Sequence, residues 1–150
     1  MLKIDRRASA FISQLLCIAA FCVLCILAIF LPVLLKTMMF LFGKPDYLFM
    51  PTLIIGYISA VPAFAADIAL FLLLRCVKLE QVFTGRSVAF IRLISWCCFA
   101  EAVIFFSLGF YYIIGFAAAF VFVFMGLIVR VVKNVMEEAV YLKEENDFTV

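Results

Sequence analysis

The placement of charge constrains this chain more than any other feature. Ala8 to Leu35 is twenty-eight residues without a charged side chain, Tyr47 to Ala66 is twenty more, and Ala102 to Val129 is another twenty-eight. A bilayer core of about 30 Å is crossed by about twenty apolar helical residues, so each run is long enough to span it. With 69% hydrophobic residues and no polar stretch long enough for a second unit, the sequence reads as one all-α, polytopic membrane domain over 1–150. The first run follows Lys3, Arg6 and Arg7 in the manner of a secretory signal. Its apolar part is far longer than a signal's, and no A-x-A site follows it at the right distance, so it reads as a retained helix.

Between Arg92 and Arg130 lie thirty-seven residues whose only charge is Glu101. That is too long for one span and right for a tight helical hairpin. Gly109-Phe110-Tyr111-Tyr112 supplies a breaker and interfacial aromatics where the turn should fall. The expectation is a four-helix transmembrane bundle, with helices over 9–35, 51–76, 87–108 and 112–145 and a cytoplasmic tail over 137–150. Pro51 suits the first turn of the second helix, where a missing N–H costs little. Ten of the twelve basic residues then fall on one side, leaving Lys36 and Lys44 opposite. This bias predicts both termini in the cytoplasm.

Two acids lie inside the spans. Asp67 is eight residues before Arg75, and Glu101 is nine after Arg92. Measured from those arginines, the two carboxylates are expected at similar depth, facing the bundle interior. Facing each other, at least one would be protonated at neutral pH, because like charges in a low dielectric disfavour double ionisation. A proton or cation site is one reading. The other is structural, with the acids joining the second and third helices through Arg92 or Ser95. Pro62 removes a helical hydrogen bond about one turn from Asp67. The six cysteines, including Cys22-x-x-Cys25 in a chain with no histidine, read as small apolar packing residues. No catalytic geometry, metal motif or cofactor motif is recognised, and no enzymatic activity is expected.

The cytoplasmic parts carry the remaining signal. Val132, Val135, Met136, Ala139 and Val140 recur at helical spacing, continuing the fourth helix beyond the bilayer as an amphipathic stripe. From Glu137 onward there are five acids and one lysine before the end, so the segment should project from an anionic surface rather than lie on it. Asn146 reads as a helix C-terminus. Phe148 and Val150 then form a short, β-prone apolar end suited to docking on a partner's sheet or pockets. Thr84 reads as the N-cap of the third helix. Phe83 and Ile91 are expected to anchor that loop at the interface, and Arg86 and Arg92 to contact phosphates or the acidic tail.

The ending Tyr141 to Val150, YLKEENDFTV, resembles the L-K/R-E-E-N-D-L-T-I signature of the YoaS-like proteins, small bacterial membrane proteins of unknown function. The segment Val82 to Arg92 is similar to their stretch before the third helix. Phe148 and Val150 stand where leucine and isoleucine are usual. Members are typically encoded beside a small Cro/C1-type helix-turn-helix regulator. The resemblance therefore implies a membrane partner that binds or sequesters such a transcription factor, without direct nucleic-acid contact. Its basic DNA-binding face would suit an acidic tail. The expected binding residues are Glu137, Glu138, Glu144, Glu145, Asn146, Asp147, Phe148 and Val150. The alternative is a small proton- or cation-coupled transporter using Asp67 and Glu101. Homo-oligomerisation is left open. The topology yields the first test: reporter fusions after Lys44 and after Val150 should report opposite sides of the membrane, and the same side for both would rule it out.

Overall fold

The computed structural model describes residues 6–79 and 84–148, with side chains described over 11–79 and 84–146. Four long helices account for nearly all of these residues: α1 (Arg6–Leu41), α2 (Phe49–Lys78), α3 (Gly85–Gly109) and α4 (Ile114–Phe148), with a 3-10 turn at Asp46–Leu48. All four are long and apolar enough to cross a membrane. Helices suit this setting because each satisfies its own backbone N–H and C=O groups where no water can.

Local chemistry explains where the helices begin and end. The Thr84 hydroxyl accepts from the Ser87 backbone N–H at 3.4 Å, capping α3. Pro51 lies in the first turn of α2, where its lack of an N–H is harmless. The α3–α4 turn occupies residues 110–113, at the expected breaker. α1 runs six residues past its expected end at Leu35, to Leu41. Lys36 does not stop it, because its ammonium reaches back over the Phe49 ring, 5.6 Å from the centroid. Gly43 ends the turn instead, at φ 59°, while Lys44 N–H donates to the Met39 carbonyl. At the other extreme, α4 does not stop at Asn146 but continues through Phe148.

Packing follows chain order. α1 lies on α2, α2 on α3, and α3 on α4, and no substantial α1–α4 contact closes the row among the described residues. The four expected helices therefore form an open row with α2 and α3 in the middle. α3 carries most of the buried residues, including Val88, Ile91, Cys97 and Ala102. Ile91 belongs to this core rather than anchoring a loop at the interface, and Phe83 lies outside the described residues.

The tightest joint is the α3–α4 hairpin. A Cβ on Gly115 would stand 2.5 Å from the Gly109 nitrogen and 2.8 Å from the Phe105 carbonyl oxygen. Both are backbone atoms that cannot move aside. Phe106, Phe110 and Phe116 close around this contact with edge-to-face rings 5.2–5.6 Å apart. Lys44 fastens the opposite loop to it, donating to the Tyr111 carbonyl at 3.1 Å and sitting 5.3 Å above the Tyr112 ring. Further along the pair, Gly126 admits Phe99 and Cys98 at 3.1–3.3 Å from its missing Cβ. Small residues at such crossings let membrane helices approach closely.

Gly115→Ala should therefore lower stability in detergent by about 1–3 kcal/mol. Gly85→Ala, at a helical position with open space around it, should be neutral or stabilising. Thermal unfolding of the two variants checks the contrast.

Candidate functional site

The antiparallel helices fix the depth of every polar side chain. Cys17 against Asp67, Phe21 against Phe64 and Leu31 against Gly56 set the register of α1 on α2. Ser59 against Glu101 sets α2 on α3.

This register separates the two intramembrane acids. Glu101 is 5% exposed in the α2–α3 interface and accepts a 2.8 Å hydrogen bond from the Ser59 hydroxyl at Oε2. Its Oε1 is buried without a partner. Asp67 is half-buried in the α1–α2 interface, where the Cys17 thiol approaches its Oδ1 at 3.3 Å and its carbonyl oxygen at 3.5 Å. Ser59 precedes Asp67 by eight residues on α2, so Asp67 lies about 12 Å along the axis from the level of Glu101. The carboxylates meet helix neighbours rather than lipid, but they do not face each other or share a depth. The argument from mutual repulsion for a shared proton does not apply. The sequence-based depth failed because Arg75 and Arg92 are not level: in the α2–α3 register Arg75 lies opposite Gly85, about 10 Å above Arg92.

The partners expected for the acids are engaged elsewhere. The Ser95 hydroxyl donates to the Gly126 carbonyl at 3.1 Å. Arg92 reaches α4, where its Nη2 lies 3.1 Å from Glu137 Oε1. Lys133 holds Oε2 of the same carboxylate at 2.7 Å, one helical turn earlier. The expected contact between Arg92 and the acidic tail is thus present, through Glu137. Cys17 donates to an acid instead of serving only as apolar filler, and neither that pairing nor Ser59–Glu101 was anticipated from sequence.

Glu137 is therefore tied to α3 and to Lys133 at the base of the tail, although its side chain is itself exposed. Glu138, Glu144, Glu145 and Asn146 are exposed. The apolar stripe divides: Val132 and Val135 are exposed at 47% and 64%, whereas Met136, Ala139 and Val140 are half-buried. In the α3–α4 register this second group falls level with the first turn of α3. Beyond Ala139, α4 runs nine more described residues past the start of α3, about 14 Å of helix. Asp147 and Phe148 belong to that helix, so Phe148 does not begin an extended end. Their side chains and Val150 lie outside the described residues.

Double-mutant cycles distinguish two separate polar joints from one shared site. Ser59→Ala with Glu101→Leu, and Cys17→Ala with Asp67→Leu, should each show coupling of about 0.6 kcal/mol, the usual size for interhelical hydrogen bonds in membranes. Asp67→Leu with Glu101→Leu should be additive within error. Strong coupling of the two acids would show that they share a site.

The comparisons with known proteins cover α2 to α4 and the end of α1. A family model described as a protein of unknown function (DUF2975) matches residues 33–150. No curated protein and no solved structure matches the chain. The match takes in Ser59, Asp67, Glu101, Arg92 and the whole of α4, and leaves Cys17 outside it. Spanning most of the sequence, it shows that the chain belongs to the DUF2975 family, proteins of unknown function.

Proposed function

We propose that this protein is a membrane-anchored regulator that binds or sequesters a small cytoplasmic helix-turn-helix transcription factor through the end of α4, both termini facing the cytoplasm of a bacterial cell. The observation that carries this reading is the continuation of α4 as one helix past the start of α3, with Glu138, Glu144 and Glu145 exposed. An acidic helix is electrostatically suited to a basic DNA-binding face, and holding that face at a membrane opposes DNA binding. The resemblance of Tyr141 to Val150 to the YoaS-like ending supports the same partner. Because Glu137 is engaged by Arg92 and Lys133, it braces the tail, and the outer acids make the contact. Transport through Asp67 and Glu101 is the weaker reading, since the two acids sit in different helix interfaces.

Deleting Asn146 to Val150 should leave membrane insertion and thermal stability unchanged and abolish capture of the regulator in pull-downs from native membranes. Reversing Glu144 and Glu145 to lysine should weaken capture, and the interaction of the intact protein should weaken with added salt. A truncated protein that binds and regulates as well as the intact one contradicts the proposal.

A further inference from the structure

A second feature lies where α3 and α4 leave the apolar zone. Arg92, Ser95, Trp96, Arg130 and Lys133 line a cleft of about 50 Å³. One water needs about 10–15 Å³ on this measure, so the space suits three or four water-sized atoms, such as the oxygens of one phosphoryl group. Three cations meet there and one carboxylate, Glu137, answers two of them. Arg130 pairs with no carboxylate among the described residues; its guanidinium lies 5.8 Å over the Trp96 ring. The cluster therefore carries two positive charges in excess.

Its depth and surroundings identify the ligand. Arg92 is seventeen residues from Gly109, and Arg130 is sixteen from Ile114, which places both about 24–26 Å along the helices from the hairpin. With that hairpin at one boundary of a hydrocarbon core of about 30 Å, the cations reach the other. Trp96 is 59% exposed, and Leu93, Leu127 and Ile128 nearby are also exposed. An exposed indole flanked by apolar side chains, with guanidinium groups just above, matches the headgroup boundary, where tryptophan concentrates. A soluble anion would gain nothing from that apolar margin, whereas an acyl chain would lie along it.

We infer that Arg92, Arg130 and Lys133 form a binding site for the phosphate of an anionic phospholipid, whose acyl chains lie beside Trp96. The phosphate competes with Glu137 for Arg92 and Lys133, so lipid occupancy loosens the ion pairs that brace the α4 extension. This inference does not depend on what the tail binds.

Trp96 is the only tryptophan in the chain, so its fluorescence reads the site directly. The full-length protein is reconstituted in phosphatidylcholine vesicles containing equal fractions of either brominated phosphatidylglycerol or brominated phosphatidylcholine. The ratio of the two quenching efficiencies gives the local lipid preference. It should favour phosphatidylglycerol by at least about fivefold, the scale expected of one basic side chain near a surface. Arg130→Gln with Lys133→Gln should bring the ratio to about one, and Arg130→Lys should keep most of the preference. Glu137→Gln should raise it, because the competing carboxylate charge is gone. Lys143→Gln, distant on the tail, should not change it. Because each ratio is taken within one variant, a change in the brightness of Trp96 does not enter it, and circular dichroism confirms that each variant is folded. No preference in the intact protein, or an unchanged preference in the double variant, overturns the site. In vesicles of pure phosphatidylcholine, inorganic phosphate at constant ionic strength should leave Trp96 emission unchanged; a saturable response would mean that the ligand is a soluble anion and overturn the assignment to lipid.

Discussion

The close approach of Gly109 and Gly115 is the constraint on which the functional half of the molecule depends. With 2.5 Å between a notional Gly115 Cβ and the Gly109 nitrogen, the two helices have one register available at the turn. Everything further along α4 is placed by that register and by 1.5 Å per residue. It brings the Ser95 hydroxyl to the Gly126 carbonyl, Arg130 to the Trp96 ring, and Glu137 to Arg92. A turn even one residue looser would rotate α4 by about 100° and disperse these pairs. The hairpin is also the point from which the α4 extension is aimed.

The polar groups inside the membrane act mainly as joints between successive helices. Cys17–Asp67 links α1 to α2, Ser59–Glu101 links α2 to α3, and Ser95–Gly126 links α3 to α4. In hydrocarbon no hydrophobic force draws apolar helices together, so close packing and a few interhelical hydrogen bonds decide which faces meet. One polar joint per interface suits an open row, where α1 and α4 each have a single neighbour. The charged groups concentrate at the end of the row where α4 leaves α3. There Arg92 and Lys133 already share Glu137, and the same end carries the exposed acids and the cleft beside Trp96.

Much of the fold was legible because its determinants are local. Three charge-free runs marked the membrane segments, the length between Arg92 and Arg130 raised the number of spans to four, Gly109 to Tyr112 marked the hairpin, and Thr84 announced the start of α3. The end of α1 was misplaced because a lysine was read as a stop, although its long side chain can bend back over Phe49 while the helix continues. The termination at Asn146 was misplaced for a related reason: asparagine permits a helix end without requiring one. The interfaces were much less legible. Asp67 and Glu101 seemed level because depth was counted from arginines that turn out to lie about 10 Å apart along the axis. Cys17 and Ser59 are separated from their partners by 50 and 42 residues, and only the rotation of each helix about its axis reveals them. Arg92 was the partial success, since its reach toward the acidic tail follows from charge and spacing, although the choice of Glu137 does not.

The central claim is that α4 crosses the membrane and continues as one rigid helix braced at Glu137. Spin labels on a ketone side chain introduced by an unnatural amino acid leave the native cysteines untouched. Placed singly along 125–145 in reconstituted vesicles, they report collisions with oxygen in lipid and with a nickel chelate in water. A change from lipid to water is expected near Arg130 to Lys133, followed by water accessibility that keeps a 3.6-residue period to the end of the scan. Accessibility without that period beyond Glu137, or continued lipid exposure of all positions there, would contradict it.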